Sequence, residues 1–172
     1  MTHPGTIRGG AATGAGRAPL YTPEERARRD ASPWTLVQGV LAPLQFLVCA
    51  ASVALVLRFL ATGEGYGAAT ASVILKTALL LLIMVTGSIW ERAVFGRWLF
   101  APAFFWEDVV SMGVIALHLA YVWALLTGAM TPSGQLLLAL AAYAAYVVNA
   151  VQFVWKLRLA RLSAPARPGV PA

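Results

Sequence analysis

The chain has 172 residues, 59% of them hydrophobic and only 12% charged. Its mean hydropathy is +0.72, and a soluble domain, with about a quarter of its residues charged, is excluded in favour of an integral membrane protein. At about 20 apolar residues per span the length suits one compact bundle with no second domain. The formal charge of +6 would suggest nucleic acid only if the basic residues shared a soluble face, so their positions decide the matter.

In chain order, residues 1–20 are a Gly/Ala-rich tail expected to be disordered. No apolar segment near the start resembles a cleavable signal peptide. "YTPEERARRDASPW" then predicts a short basic surface helix within 21–33, capped by Thr22, opened by Pro23 and closed into a capping box by Glu25. Ser32 and Pro33 repeat that start signal for the first span. The first span is expected over 34–60, uncharged between Asp30 and Arg58, with a kink near Ala42 from Pro43. "ATGEGYG" at 61–67 makes a turn, and the second span follows over 68–90, interrupted by Lys76, which is expected to snorkel outward or to meet a carboxylate. The third span, 102–126, carries Glu107, Asp108 and His118. After the turn "TGAMTPSG" at 127–134 the fourth span, 135–155, is apolar apart from Asn149, Gln152 and two tyrosines. Residues 34–162 thus form one four-helix transmembrane domain, and 163–172 a flexible tail.

Five basic residues precede the first span, two (Arg92, Arg97) lie between the second and third, and four follow the last. Only Arg58 falls on the opposite side. Cytoplasmic loops carry the excess of Lys and Arg, so both termini and the middle loop are expected in the cytoplasm. The basic surplus then serves topology and anionic lipid head groups, and no nucleic-acid partner is expected. The fold class read from this pattern is an all-α integral membrane protein, a four-transmembrane-helix bundle with both termini cytoplasmic.

Polar side chains gather in the cytoplasmic half of that bundle. Glu107 and Asp108 are expected one to two turns inside span three. His118, eleven residues beyond Glu107, shares its face about 16 Å deeper. Glu91 and Arg92 close span two, Asn149 and Gln152 lie on span four, and Gln38 sits one turn into span one. The outer half offers little beyond Lys76 and hydroxyls, so no through-path for an ion is expected. Charge inside a span is costly and usually faces a cavity or the bundle interior. Interfacial ion pairs are the simpler reading of Glu91 with Arg92, and of Glu107 or Asp108 with Arg97. Trp90, Trp98, Phe104, Phe105 and Trp106 read as an interfacial aromatic belt that also suits a large flat substrate. There is no phosphate loop, His/Cys metal cluster or serine elbow, and Cys49 alone makes no intrachain disulfide. His3 and His118 do not make a paired-histidine haem site. Carboxylate acid–base chemistry on a membrane-soluble molecule is what remains.

The strings "RRDASPWTLVQGVLAPLQFLV", "LRFLATGEGY", "MVTGSIWERAVFGRWLFAPAFFWEDVVSM" and "AAYAAYVVNAVQF" resemble the vinyl (bacterio)chlorophyllide hydratase family of bacteriochlorophyll biosynthesis. The resemblance runs from about residue 21 to 162. It implies addition of water across the C3 vinyl group of chlorophyllide a or 3-vinyl bacteriochlorophyllide a, giving a 1-hydroxyethyl group, in the cytoplasmic membrane of a phototrophic bacterium. No cofactor is implied, the magnesium belonging to the substrate. Neighbouring pigment-biosynthesis enzymes are candidate partners beside the pigment, water and the bilayer.

Such a hydration needs a general acid, a group that orients water and a water-limited slot. A low-dielectric site disfavours the charged carboxylate, which makes Glu107, Asp108 and Glu91 the candidate catalytic groups. Glu107 or Asp108 is assigned as proton donor, with the other or Glu91 orienting water. Trp106 and Phe105 are expected to stack on the macrocycle, His118 is a candidate ligand for its magnesium, and Arg92 or Arg97 is expected to meet its propionate. Asn149, Gln152 and Gln38 complete the expected pocket. The competing reading is a noncatalytic membrane factor that binds pigment or assists assembly of a photosystem.

Overall fold

A computed structural model describes residues 20–162. The expected tails at 1–20 and 163–172 fall outside the described residues, save for Leu20. All regular structure in the described part is helical: α1 Pro23–Ala31, α2 Pro33–Thr62, α3 Tyr66–Phe95, α4 Phe105–Thr127 and α5 Pro132–Leu162. The last four are each long and apolar enough to cross a membrane.

α1 starts on the capping box read from the sequence. The Thr22 N–H donates to Glu25 Oε2 at 2.8 Å while Thr22 Oγ1 accepts from the Glu25 N–H at 3.2 Å. The repeated signal at Ser32 does not act the same way, because its hydroxyl makes no cap bond and is buried without a partner. Thr35 Oγ1 instead donates back to the Arg29 carbonyl at 2.6 Å, tying α2 to the end of α1. α2 continues through Pro43 to Thr62.

α2 and α3 form one antiparallel hairpin, α4 and α5 another, and these are the two closest helix pairs. The first turn is short because Gly63 adopts a φ of 74°, a left-handed conformation that lets its N–H close back on the Phe59 carbonyl at 2.7 Å. α1 lies across the end of α3: Arg28 Nε donates to the Val94 carbonyl at 2.7 Å, and the Tyr21 ring stacks on Phe95 with centroids 5.8 Å apart.

Two cores result. The larger runs along the bundle axis and includes Cys49, Val56, Val73, Leu80, Val114, Tyr121 and Leu136. The smaller, at the α1 end, is built on Tyr21, Val94 and Phe104, with Trp90, Phe95 and Phe153 against it. Lipid tails are as apolar as leucine, so the hairpins gain little from excluding lipid and depend on close packing and interhelical hydrogen bonds. Such bonds occur at several depths: Gln38 to Thr86 at 2.8 Å, Ser52 to Tyr143 at 2.6 Å and Asn149 to Ser111 at 2.7 Å.

Candidate functional site

The α3–α4 connection organises the site. α3 runs on to Phe95, so Glu91 and Arg92 are helical, and α4 begins at Phe105, three residues after Pro102 where the third span was expected to start. Glu107 and Asp108 therefore stand in the first turn of α4, closer to the helix end than the expected one to two turns. All three carboxylic residues are nonetheless buried: Glu91 is 5%, Glu107 7% and Asp108 4% exposed.

The intervening loop shields them. The Phe100 N–H donates to Asp108 Oδ2 at 2.8 Å and the next N–H, of Ala101, to Glu91 Oε2 at 3.1 Å. Phe100 has a φ of 58°, the one non-glycine residue with positive φ among the described residues. That left-handed residue turns the chain so that two consecutive N–H groups converge on the acidic pair. The conformation costs about 1–3 kcal/mol for a side-chain-bearing residue, and the surrounding contacts must hold it. Consecutive N–H groups of one loop thus bring the Asp108 and Glu91 carboxyl groups under the same short stretch of chain.

Glu107 faces another way, as adjacent helix positions about 100° apart must. Its Oε2 is 2.7 Å from Lys156 Nζ on α5. The expected ion pairs with Arg92 and Arg97 do not form: both arginines are exposed, and Arg92 donates to the Gly96 carbonyl. Lys156 was not singled out in the sequence, where it looks like one more basic residue beyond the last span. Above this pair Asn149 Nδ2 donates to Ser111 Oγ at 2.7 Å, which donates to the Glu107 carbonyl at 2.9 Å. Asn149 Oδ1 and Gln152 Oε1 are buried acceptors without a partner.

Glu91, Asp108, Glu107, Asn149 and Gln152 thus gather where α3, α4 and α5 meet. Gln38 stays at the α2–α3 contact on Thr86. His118 lies farther along α4, 1% exposed, with Nδ1 2.8 Å from the Val114 carbonyl, its ring 5.8 Å from that of Tyr143 and Nε2 unpartnered. The aromatic belt divides. Phe104, 2% exposed, is core against Trp90, Phe95 and Phe153, whereas Trp98, Phe105 and Trp106 face outward.

The outer half is more polar than the sequence suggested. Lys76 neither snorkels nor meets a carboxylate: it is fully buried, donates to Gln45 Oε1 and lies 3.7 Å from the centre of the Tyr146 ring. Ser52 joins Tyr143 and Ser72 beside it, and Tyr66 reaches Gln135 near the far end. The expectation of polar residues on one side only is therefore corrected. Scattered hydroxyls in a hydrophobic run carry no pattern of their own, and only the facing helix reveals them as a network.

Comparison with known proteins bears on this arrangement. Residues 21–159 match the family model described as 2-vinyl bacteriochlorophyllide hydratase (BCHF). A protein of that description from Cereibacter sphaeroides is 70% identical over 148 residues, covering 86% of this chain and 91% of that protein. One from Rhodobacter capsulatus is 68% identical over 148 residues, 86% of each. No solved structure matches. The matched region holds all four spans and every carboxyl group of the site, and the chain belongs to the 2-vinyl bacteriochlorophyllide hydratase family.

Proposed function

We propose that the chain adds water to the ring vinyl group of chlorophyllide a or 3-vinyl bacteriochlorophyllide a, and that the buried Glu91 and Asp108, capped by consecutive loop N–H groups, do the proton transfer. Family membership supports the reaction, and the buried pair under the loop is the observation that supports the mechanism.

In this mechanism one of the two carboxyl groups enters the cycle protonated. Donating that proton to the terminal vinyl carbon makes a methyl group and leaves a cation on the inner carbon, which the conjugated macrocycle delocalises. Water attacks that carbon, and its proton returns to the carboxylate left behind. The pair ends each turnover with the single proton it began with, so neither an external acid nor a cofactor is required. Glu107, engaged by Lys156, is less suited to the donor role assigned from the sequence. The free acceptors Asn149 Oδ1 and Gln152 Oε1 are suited to hold water on the α5 side. The exposed Arg92 and Arg97 are suited to the propionate.

The orientation follows from charge. Arg26, Arg28, Arg29, Arg92, Arg97 and Lys156 sit at the site end of the bundle, while Arg58 at the other end stands 3.7 Å from Glu64. Placing the site end in the cytoplasm satisfies the positive-inside rule and meets the pigment at the inner face of the cytoplasmic membrane. Membranes from a non-photosynthetic host expressing the chain, incubated with chlorophyllide a in oxygen-18 water, are expected to yield a pigment heavier by one labelled water. Pigment bound without a change of mass would instead favour a noncatalytic carrier.

A further inference from the structure

Beyond the carboxyl site, an open groove lies on the outer face of α3. It has a volume of about 370 Å³ and is lined by Met84, Val85, Ser88 and Ile89 on the helix and by Trp98 and Leu99 on the loop. That lies within the roughly 300–1,000 Å³ of ordinary small-molecule sites. Its wall is fixed, because Ser88 Oγ donates to the Trp98 carbonyl at 2.6 Å and holds the loop against the helix. The same loop serves the catalytic pair, since the two residues after Leu99 supply the N–H groups on Asp108 and Glu91. Glu91 is three residues past Ser88, on the same side of α3.

Charge says what occupies it. Exposed cations bracket the cytoplasmic end: Arg92, three residues past Ile89, and Arg97, next to Trp98. An apolar, aromatic-walled groove whose lining is continued along the chain by Arg92, which also donates to the Gly96 carbonyl, and by Arg97 suits a flat apolar ring bearing a peripheral carboxylate. An acyl chain has no use for the cations.

We propose that this groove is the docking site of the chlorophyllide macrocycle, entered sideways from the bilayer, with the propionate at Arg92 and Arg97 and the vinyl edge turned past the loop toward Glu91 and Asp108. The assignment rests on the hydration reading and adds Trp98, Ser88 and Val85 to the residues that recognise the pigment. Phe105 and Trp106, expected from the sequence to stack on the ring, stand beyond Phe100, whose ring is 5.8 Å from that of Phe105.

Val85→Trp tests it by filling the groove without removing a hydrogen bond, and Val148→Trp, on the exposed face of α5, is the control. With purified protein in lipid nanodiscs, chlorophyllide a binding is followed by pigment fluorescence and turnover by chromatography. Val85→Trp is expected to raise both Kd and KM about ten-fold with kcat within about two-fold, while Val148→Trp matches the parent protein. Equal behaviour of the two variants overturns the site and leaves the groove to lipid. Arg97→Gln is expected to weaken binding of the free acid and to leave binding of its methyl ester unchanged; equal weakening of both overturns the propionate placement. The binding comparison stands even if the parent protein binds pigment without hydrating it, so failure of the groove and failure of the hydratase reading are separate results.

Discussion

Three carboxyl side chains from two helices divide into two chemical roles. Asp108 and Glu91 each accept one of two consecutive loop N–H groups, whereas Glu107 is joined to Lys156. Glu91→Gln and Asp108→Asn are each expected to lower kcat by about 100-fold or more, the scale of a lost general acid or base, and Glu107→Gln by much less. Equal losses in all three, at matched protein levels, would return the donor role to Glu107. In the proposed mechanism one proton sits on the pair, so kcat/KM should be bell-shaped in pH, falling on the acid side as both groups become protonated and on the alkaline side as both ionise. A profile flat from pH 5 to 10 would remove the pair from the mechanism. Lys156→Met leaves Glu107 largely buried without its partner. With Lys156 28% exposed at its side chain, a destabilisation of about 1–3 kcal/mol is expected, between the values for surface and buried pairs. The double variant with Glu107→Gln should recover part of it in thermal unfolding.

A nine-residue connection, from Gly96 to Phe104, decides what the ends of α3 and α4 can do. It holds Phe100 in a left-handed conformation so that two successive N–H groups reach the acidic pair, and Ser88 fixes its Trp98 carbonyl. Phe100→Gly and Phe100→Ala both remove the ring that contacts Phe105, and only glycine removes the strain. The glycine variant is expected to be more stable than the alanine variant by about 1–2 kcal/mol, measured by thermal unfolding in detergent. The reverse order would mean that the loop does not hold its left-handed turn. The helices themselves were legible, since uninterrupted apolar runs of span length leave the chain few other ways to satisfy its backbone in lipid. The connection was not, because no periodicity marks a strained loop and proline at 102 reads equally well as a helix start.

Across the whole bundle, the two hairpins meet through a polar interior that runs well beyond the candidate site. Lys76, packed between Gln45 and the Tyr146 ring, is its most unusual member. Methionine matches its length and carries no charge, and replacing buried charge by apolar volume is often neutral or stabilising. Lys76→Met is therefore expected to keep the fold and the hydratase activity, the lysine lying about 22 Å along α3 from Glu91 at 1.5 Å per residue. Loss of turnover in a folded Lys76→Met protein would make the central cluster part of the catalytic machinery.

By itself the sequence determined the membrane class, four spanning helices and, through long unusual strings such as "VFGRWLFAPAFFWEDV", the family. These depend on hydropathy, length and residue identity, which are local properties of the chain. It also brought Glu91, Glu107 and Asp108 to one end of the bundle, because short turns force neighbouring helices to be antiparallel. Only the tertiary structure decided which carboxyl group meets which partner, that Lys156 rather than an arginine joins Glu107, and that Lys76 faces inward. Those choices depend on the rotation of each helix about its axis and on the path of one irregular loop. Both are set by side chains meeting across helices far apart in sequence, and no local pattern encodes them.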